Sequence, residues 1–409
     1  MSRGRVEFMR ARALVVSLLA VIVASGMLSL PLANAGQPAS KGPDRVQWSY
    51  ILYLDADNSL DVNVGNVPVV ESDYEELMSV GSSKDVAMFV FADRIDGPAN
   101  LFKVLPGQMV ELKDFALNGK EANMGDPMTL RALITYTFKA APADHTVLMF
   151  WDHGSPRSVA TDEHPADSLT VDEVTQALDG FHVDMIGADE CNVGQIDVAY
   201  QWLRGGLDVD YLLVSETYTG WRGYPYDATL GRLVANPYMT PREASIMFIE
   251  EVQKLIAATP HMGEEVNAHA AVEMAGVGPT VASFLDLTKL LKDDMKANAG
   301  TISKSRGGAN YAYGSNAANL ADFRRLVELI GENSASQVVK DQVALVLASF
   351  DKTVIAVQTT NTLDHQISGL GIVFPNHSWE TSAYYWGYYI MQDGWQAFLE
   401  SYWAAAGSI

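Results

Sequence analysis

The sequence predicts an α/β sandwich built on a mostly parallel sheet, followed by a more helical C-terminal region. Three observations carry that expectation. Short runs of continuous apolar residues recur along the first half of the chain, as strands covered on both faces require. Helical patterns lie between them, and that alternation implies crossovers and parallel pairing. Some of the runs stop abruptly in acids, a histidine or a cysteine, and sheets of this kind build their sites where strands end.

The strand-like runs are Trp48–Leu54, Val86–Phe91, Val147–Trp151, Val183–Ala188 and Tyr211–Val214. A helix is predicted over Thr129–Lys139. Another begins at Thr170, where Glu173 completes a capping box ahead of Val174 and Leu178. A third is predicted over Asn192–Leu203, with Ile196, Ala199, Tyr200 and Leu203 on one face. After Pro241 long amphipathic helices dominate: Arg242–Ala258, Thr280–Ala297, Gln337–Phe350 and Ala383–Tyr402. One late strand, 369–374, is stopped by Pro375. It either returns to the first sheet or belongs to a second domain. Ser303–Gly308 reads as an exposed loop.

The N-terminus reads as an export signal over residues 1–35. Arg3, Arg5, Arg10 and Arg12 precede an apolar stretch that ends in Ala33-Asn34-Ala35, a small-residue cleavage site. The predicted mature start is Gly36, and residues 36–45 read as a mobile leader. No later stretch is long and apolar enough to span a bilayer, so a secreted or periplasmic protein without a stable membrane anchor is expected. The formal net charge is −22, and residues 1–35 carry four arginines and one glutamate, so the mature chain is more acidic still. Such a surface repels phosphate backbones, which excludes nucleic acid as a partner and favours cationic or neutral ones.

Cys191 is the single cysteine. It follows the run 183–188 and the acids Asp189 and Glu190, at a strand-to-helix turn. His153 follows a separate run, in Asp152-His153-Gly154. One thiol and one imidazole at two strand ends are the minimum parts for cysteine-based acyl transfer. The competing reading is a buried, inert thiol. A free thiol in an oxidising compartment is a liability, which favours retention for chemistry.

Six segments, in order, resemble those of one family. Tyr50–Leu60 is similar to its opening strand and acidic turn, and Asn123–Pro127 to the motif before its helix. Phe150-Trp151-Asp152-His153-Gly154-Ser155 resembles its histidine motif. Asp184–Cys191, with Val198-Ala199-Tyr200 following, resembles its nucleophile motif. Ser215-Glu216 and Gly369–Pro375 complete the series. On these segments the chain resembles the clostripain-like cysteine peptidases, which share the caspase-type α/β/α fold. The resemblance implies a catalytic domain over 46–240, with a helical region over 241–409. It implies an endopeptidase with Cys191 as nucleophile and His153 as acid/base. The oxyanion donors would be the N–H groups of Cys191 and Gly154. A helix starting at Asn192 would favour the thiolate through its dipole.

In that family the aspartate two before the nucleophile selects Arg or Lys before the scissile bond, which maps to Asp189. Glu190, Glu216 and Arg222 are further substrate-binding candidates. Glu190 departs from the small residue usual there, and a second acid beside the thiol disfavours thiolate unless it points away. If Arg222 reached Asp189 it would cancel the pocket charge. The alternatives are a peptidase of non-basic preference and an inactive binding protein on the same scaffold. Internal cleavage activates some members. Arg157 is the only basic residue other than histidine between His153 and Cys191, so a single-chain enzyme is expected. Expected partners are peptide or protein substrates, and a monomer is expected.

Asp55-Ala56-Asp57-Asn58-Ser59-Leu60-Asp61 resembles the opening of a calcium-binding loop. Leu60 stands where such loops need glycine, and Asn66 where they need glutamate. The segment therefore reads as a strand-end turn. No cofactor is expected, with Ca²⁺ the alternative. His261, His269, His365 and His377 lack metal-site spacing, and the aromatic run Tyr384–Tyr389 reads as helix packing.

Overall fold

The computed structural model describes residues 45–61, 69–259, 267–309, 319–359, 367–377 and 385–407. The export signal, nearly all of the leader, Asn66, His261, His365 and Tyr384 lie outside them. In chain order the strands are β1 (Val46–Ala56), β2 (Val86–Arg94), β3 (Gly97–Leu105), β4 (Gln108–Glu111), β5 (Ala143–Trp151), β6 (Ser158–Glu163), β7 (Ala166–Thr170), β8 (Val183–Asp189), β9 (Val209–Ser215), β10 (Ala268–Glu273), β11 (Leu320–Asp322), β12 (Val354–Thr359) and β13 (Gly371–Val373). The helices are α1 (Val69–Val80), α2 (Pro127–Ala140), α3 (Val171–Ala177), α4 (Ile196–Gly205), α5 (Tyr226–Ala235), α6 (Pro241–Ala258), α7 (Met274–Asp293), α8 (Met295–Ala309), α9 (Phe323–Asn333), α10 (Gln337–Thr353) and α11 (Gln396–Ala406).

Nine strands form one sheet, ordered β12-β10-β9-β8-β5-β1-β2-β3-β4. Its centre is parallel, from β9 through β8, β5 and β1 to β2. Both edges are antiparallel. The five strand-like runs of the first half form this parallel centre, because only strands covered on both faces read as unbroken apolar runs. On β1, Ile51 and Tyr53 face one core, with α2, α3, α4 and α7. Trp48, Tyr50, Leu52 and Leu54 face the other, with α1, α5 and α6. Each large apolar side chain fully buried in this way contributes roughly 1.5–3 kcal/mol.

Two expectations need correction. The late strand does not rejoin the large sheet: β13 pairs antiparallel with β11 in a separate two-stranded sheet. The place next to β10 is taken by β12. The region after 240 still contributes to the large sheet, since β10 pairs with β9. The large sheet thus draws strands from both sides of residue 240, and Pro43–Ile409 forms one unit. Ser303–Gly308 is helical, within α8. Arg306 is buried there, its Nε–H donating to the Phe374 carbonyl at 2.7 Å, and that contact outweighs the local glycines. The aromatic run does pack: the buried Tyr388 donates to the Pro156 carbonyl at 2.7 Å, and Trp386 meets Trp403 edge to face. Among the described residues no helix is long and apolar enough to cross a membrane.

Candidate active site

The register of the central strands brings the histidine and the cysteine together. Trp151 on β5 is the direct partner of Asp189 on β8. His153 and Cys191 each stand two residues beyond that pair, on the loops that leave these adjacent parallel strands. Both line a cleft of about 190 Å³, with Trp151, Asp152, Asp189, Glu190, Thr219 and Trp221 among its walls.

Cys191 is half-buried. The Thr219 N–H donates to its Sγ at 3.4 Å, and a donor aimed at sulfur favours the anionic form. The expected helix start at Asn192 is corrected. Asn192 is left-handed (φ 60), its N–H donating to the Thr217 carbonyl at 2.6 Å, and α4 begins only at Ile196. The dipole of α4 therefore starts more than a turn beyond the thiol. The left-handed turn instead lays the following residues along the end of β9, where the Gly194 N–H donates to Ser215 at 2.7 Å.

His153 is exposed on one side. Its Nε2 lies 2.9 Å from Ser59 Oγ. Partial desolvation against the cleft wall holds its pKa below the ordinary 6.5. The loop behind it is organised by Asp152, which is buried and accepts from the backbone N–H groups of His153 and Thr161 and from Asn58 Nδ2. Asp152 faces the backbone of the histidine. Burial keeps its carboxyl well above the ordinary range. Ser59, Asn58 and Thr219 escaped the sequence reading as site residues. The strand-end rule could have found the first two, since they follow β1 as His153 follows β5.

The acids near the thiol separate into different roles. Asp189 is buried; its Oδ2 accepts the Tyr224 N–H at 2.9 Å and the Tyr226 hydroxyl at 2.7 Å. Among the described residues its Oδ1 has no hydrogen-bond partner. Burial raises its pKa to about 6, against the pull of those two donors. Gly223 is left-handed (φ 55), and a Cβ there would lie 2.3 Å from Asp189 Oδ2, so glycine lets the 216–224 loop close over this carboxylate.

Glu190 turns under the histidine loop, its Oε1 accepting the Ala160 N–H at 3.4 Å. Burial, then the nearby Asp152, keeps its carboxyl well above the ordinary range. Gly154 packs directly on it: a Cβ at 154 would lie 2.6 Å from Glu190 Cβ and 2.8 Å from the Cys191 carbonyl. Arg222 pairs with Glu76 at 3.7 Å and lies over the Trp221 ring. Its charge is thus drawn to α1 while tyrosines hold Asp189.

Glu216 is corrected as a substrate-binding candidate. It is buried behind the cleft, where its Oε2 accepts the Gly369 N–H at 2.8 Å and its carboxyl bonds that of Asp322. β9 ends one residue earlier, and the part of the following loop that lines the cleft is Thr219, Gly220, Trp221 and Gly223.

Comparison with known proteins bears on the fold and the lineage. A model of the clostripain family matches residues 52–403. Clostripain from Hathewaya histolytica is 27% identical over 223 residues, which cover 45% of this chain and 41% of that protein. An inactive protease zymogen from Parabacteroides distasonis superposes with a TM-score of 0.64 at 18% identity, covering 86% of this chain and 99% of the other. A secreted cysteine protease from Bacteroides thetaiotaomicron, solved with an irreversible peptide inhibitor, gives 0.62 at 17% identity, over 88% and 99%. These likenesses establish the fold, and the match along nearly the whole described chain establishes the lineage: the protein belongs to the clostripain family.

Proposed function

We propose that this chain is an exported cysteine endopeptidase that cleaves after arginine or lysine. The observation that carries the reading is the pairing of Trp151 with Asp189, which sets His153 and Cys191 side by side in one cleft. Cys191 Sγ attacks the peptide carbonyl as thiolate. His153 takes the thiol proton, exchanging its Ser59 contact for the reacting groups, and then protonates the leaving amine. The amides of Cys191 and Gly154 receive the developing oxyanion. Gly154 suits that place because any side chain there would strike Glu190.

Asp189 supports the basic preference. Its Oδ2 is tied down while Oδ1 is left over, a fixed half-satisfied carboxylate beside the thiol. A guanidinium or ammonium from the residue before the scissile bond completes it with a charge-assisted bond. Glu190 serves the loop, and Arg222 stands at the rim with Glu76.

A peptide library varied at the residue before the cut, with iodoacetamide and active-site variants alongside, tests the reading. Cys191→Ala and His153→Ala are expected to remove cleavage by at least about 10³-fold. Asp189→Asn is expected to lower kcat/KM for Arg and Lys peptides by about 10²-fold while leaving uncharged peptides little changed. Cleavage that survives Cys191→Ala would sink the mechanism. Equal cleavage after uncharged residues by the native enzyme would remove Asp189 from its role and leave the non-basic alternative.

A further inference from the structure

At the end of the central strands opposite the cleft, where β8 and β9 begin, the sheet register gathers a histidine and three acids. Val183 on β8 is the direct partner of Val209 on β9. His182 and Asp184 flank the first of these, and Asp208 and Asp210 flank the second. Ligand atoms of His182, Asp184 and Asp210 all lie within 4.8 Å of one another. Asp184 and Asp210 stand on adjacent strands, and like charges side by side on a sheet cost stability unless a cation lies between them.

The imidazole is aimed into this group. Its Nδ1 lies 3.0 Å from Asp208 Oδ1. Its Nε2 lies 3.9 Å from Asp184 Oδ1 and 3.8 Å from Asp210 Oδ2, beyond hydrogen-bond distance. A carboxylate on one ring nitrogen fixes the ring and leaves the lone pair of the other for a metal. Asp184 is buried and braced at both oxygens. His145 Nδ1–H donates to Oδ1 at 2.8 Å and the Thr146 N–H to Oδ2 at 2.8 Å. Ligating carboxylates are supported in the same way.

One imidazole nitrogen and two carboxylate oxygens form a zinc donor set. Ca²⁺ and Mg²⁺ take oxygen ligands. Two ligand atoms on a tetrahedral Zn²⁺ stand about 3.4 Å apart, a small closure for an imidazole exposed to solvent. We propose that His182, Asp184 and Asp210 bind one Zn²⁺ ion, with Asp208 and His145 as supporting partners. The site shares no residue with the cleft. Asp184 and Asp189 stand near opposite ends of β8, roughly 17 Å apart in extended chain. An ion there ties β8 to β9 and, through His145, to β5, the three strands whose far ends lead to Cys191, the 216–224 loop and His153.

Isothermal titration of Zn²⁺ into untagged, chelator-stripped full chain carrying Cys191→Ala tests this, since the variant removes a competing thiol. It reads binding alone, so failure of the peptidase reading leaves it standing. One Zn²⁺ per chain is expected. His182→Gln is expected to weaken binding by about ten-fold or more. Asp208→Asn, which touches no ion but frees the ring, is expected to cost about ten-fold. Asp210→Asn is expected to cost several-fold, and all three side chains are exposed, so the fold is retained. His164→Gln, beside the separate acid Asp57, is expected to leave binding unchanged. No heat of binding at submillimolar Zn²⁺ would overturn the proposal. So would full affinity in His182→Gln or Asp210→Asn, or loss of the site in His164→Gln.

Discussion

Partial burial against the cleft wall lowers the proton affinity of His153, whose Nε2 meets the neutral Ser59 hydroxyl. In the proposed mechanism His153 accepts the thiol proton, for which it must be neutral. The acid limb of kcat/KM is therefore expected below pH 6.5, and a pH–rate profile checks it. A midpoint above 6.5 would contradict the assignment. The Thr219 N–H donates to the Cys191 thiol, and among the described residues Asp189 keeps one oxygen engaged and one without a hydrogen-bond partner. Glu190, which in sequence looked like an obstacle to thiolate formation, is removed from the thiol by its burial against Gly154 and Ala160.

At the scale of elements, the site hangs on loops braced from distant parts of the chain. Tyr388, far along the C-terminal region, donates to the Pro156 carbonyl and so props the loop that carries His153. Asn267, at the entry to β10, accepts the Gly220 N–H at 2.8 Å and pins the loop over the thiol. Tyr388→Phe removes a buried hydroxyl and strands a carbonyl, at a cost of about 1–3 kcal/mol. Denaturant unfolding should show that loss. Peptide kinetics should show a lower kcat with KM little changed, because the loop positions the histidine. An unchanged kcat would make Tyr388 a packing residue alone. The region after 240 adds to the same bracing: β10 and β12 extend the sheet on which Ser215 and its loop rest.

The molecule as a whole carries buried acids whose pKa values burial has raised, with like charges adding to it. Asp55 stands at about 9, Asp93 at about 8, and Asp162 at about 6, against an ordinary 3.8. Between the ordinary and the raised values the folded chain holds protons that the unfolded chain has released. Stability therefore falls as pH rises through that window. The melting temperature by scanning fluorimetry is expected to drop from pH 5 to pH 8. A melting temperature that climbs across this range would refute the account.

By itself the sequence determined the parallel centre of the sheet, the two strand ends that bear Cys191 and His153, and the capping box of α3, in which Thr170 and Glu173 bond reciprocally. These follow from local periodicity and local chemistry, which a linear reading contains. The outer strands β3, β4 and β12 were not legible, because a strand covered on one side or made of few residues has no unbroken apolar run, and β10 was not because its buried run is mostly alanine with a histidine in it. The delayed start of α4, the helical state of 303–308 and the destination of β13 were decided by contacts far apart in sequence: Asn192 with Thr217, Arg306 with Phe374, and β12 filling the edge beside β10. So too were the directions of the two acids beside the thiol. Asp189 points to tyrosines beyond β9 and Glu190 to the histidine loop, because consecutive residues at a strand end face opposite ways and only the packed neighbours decide what each one meets.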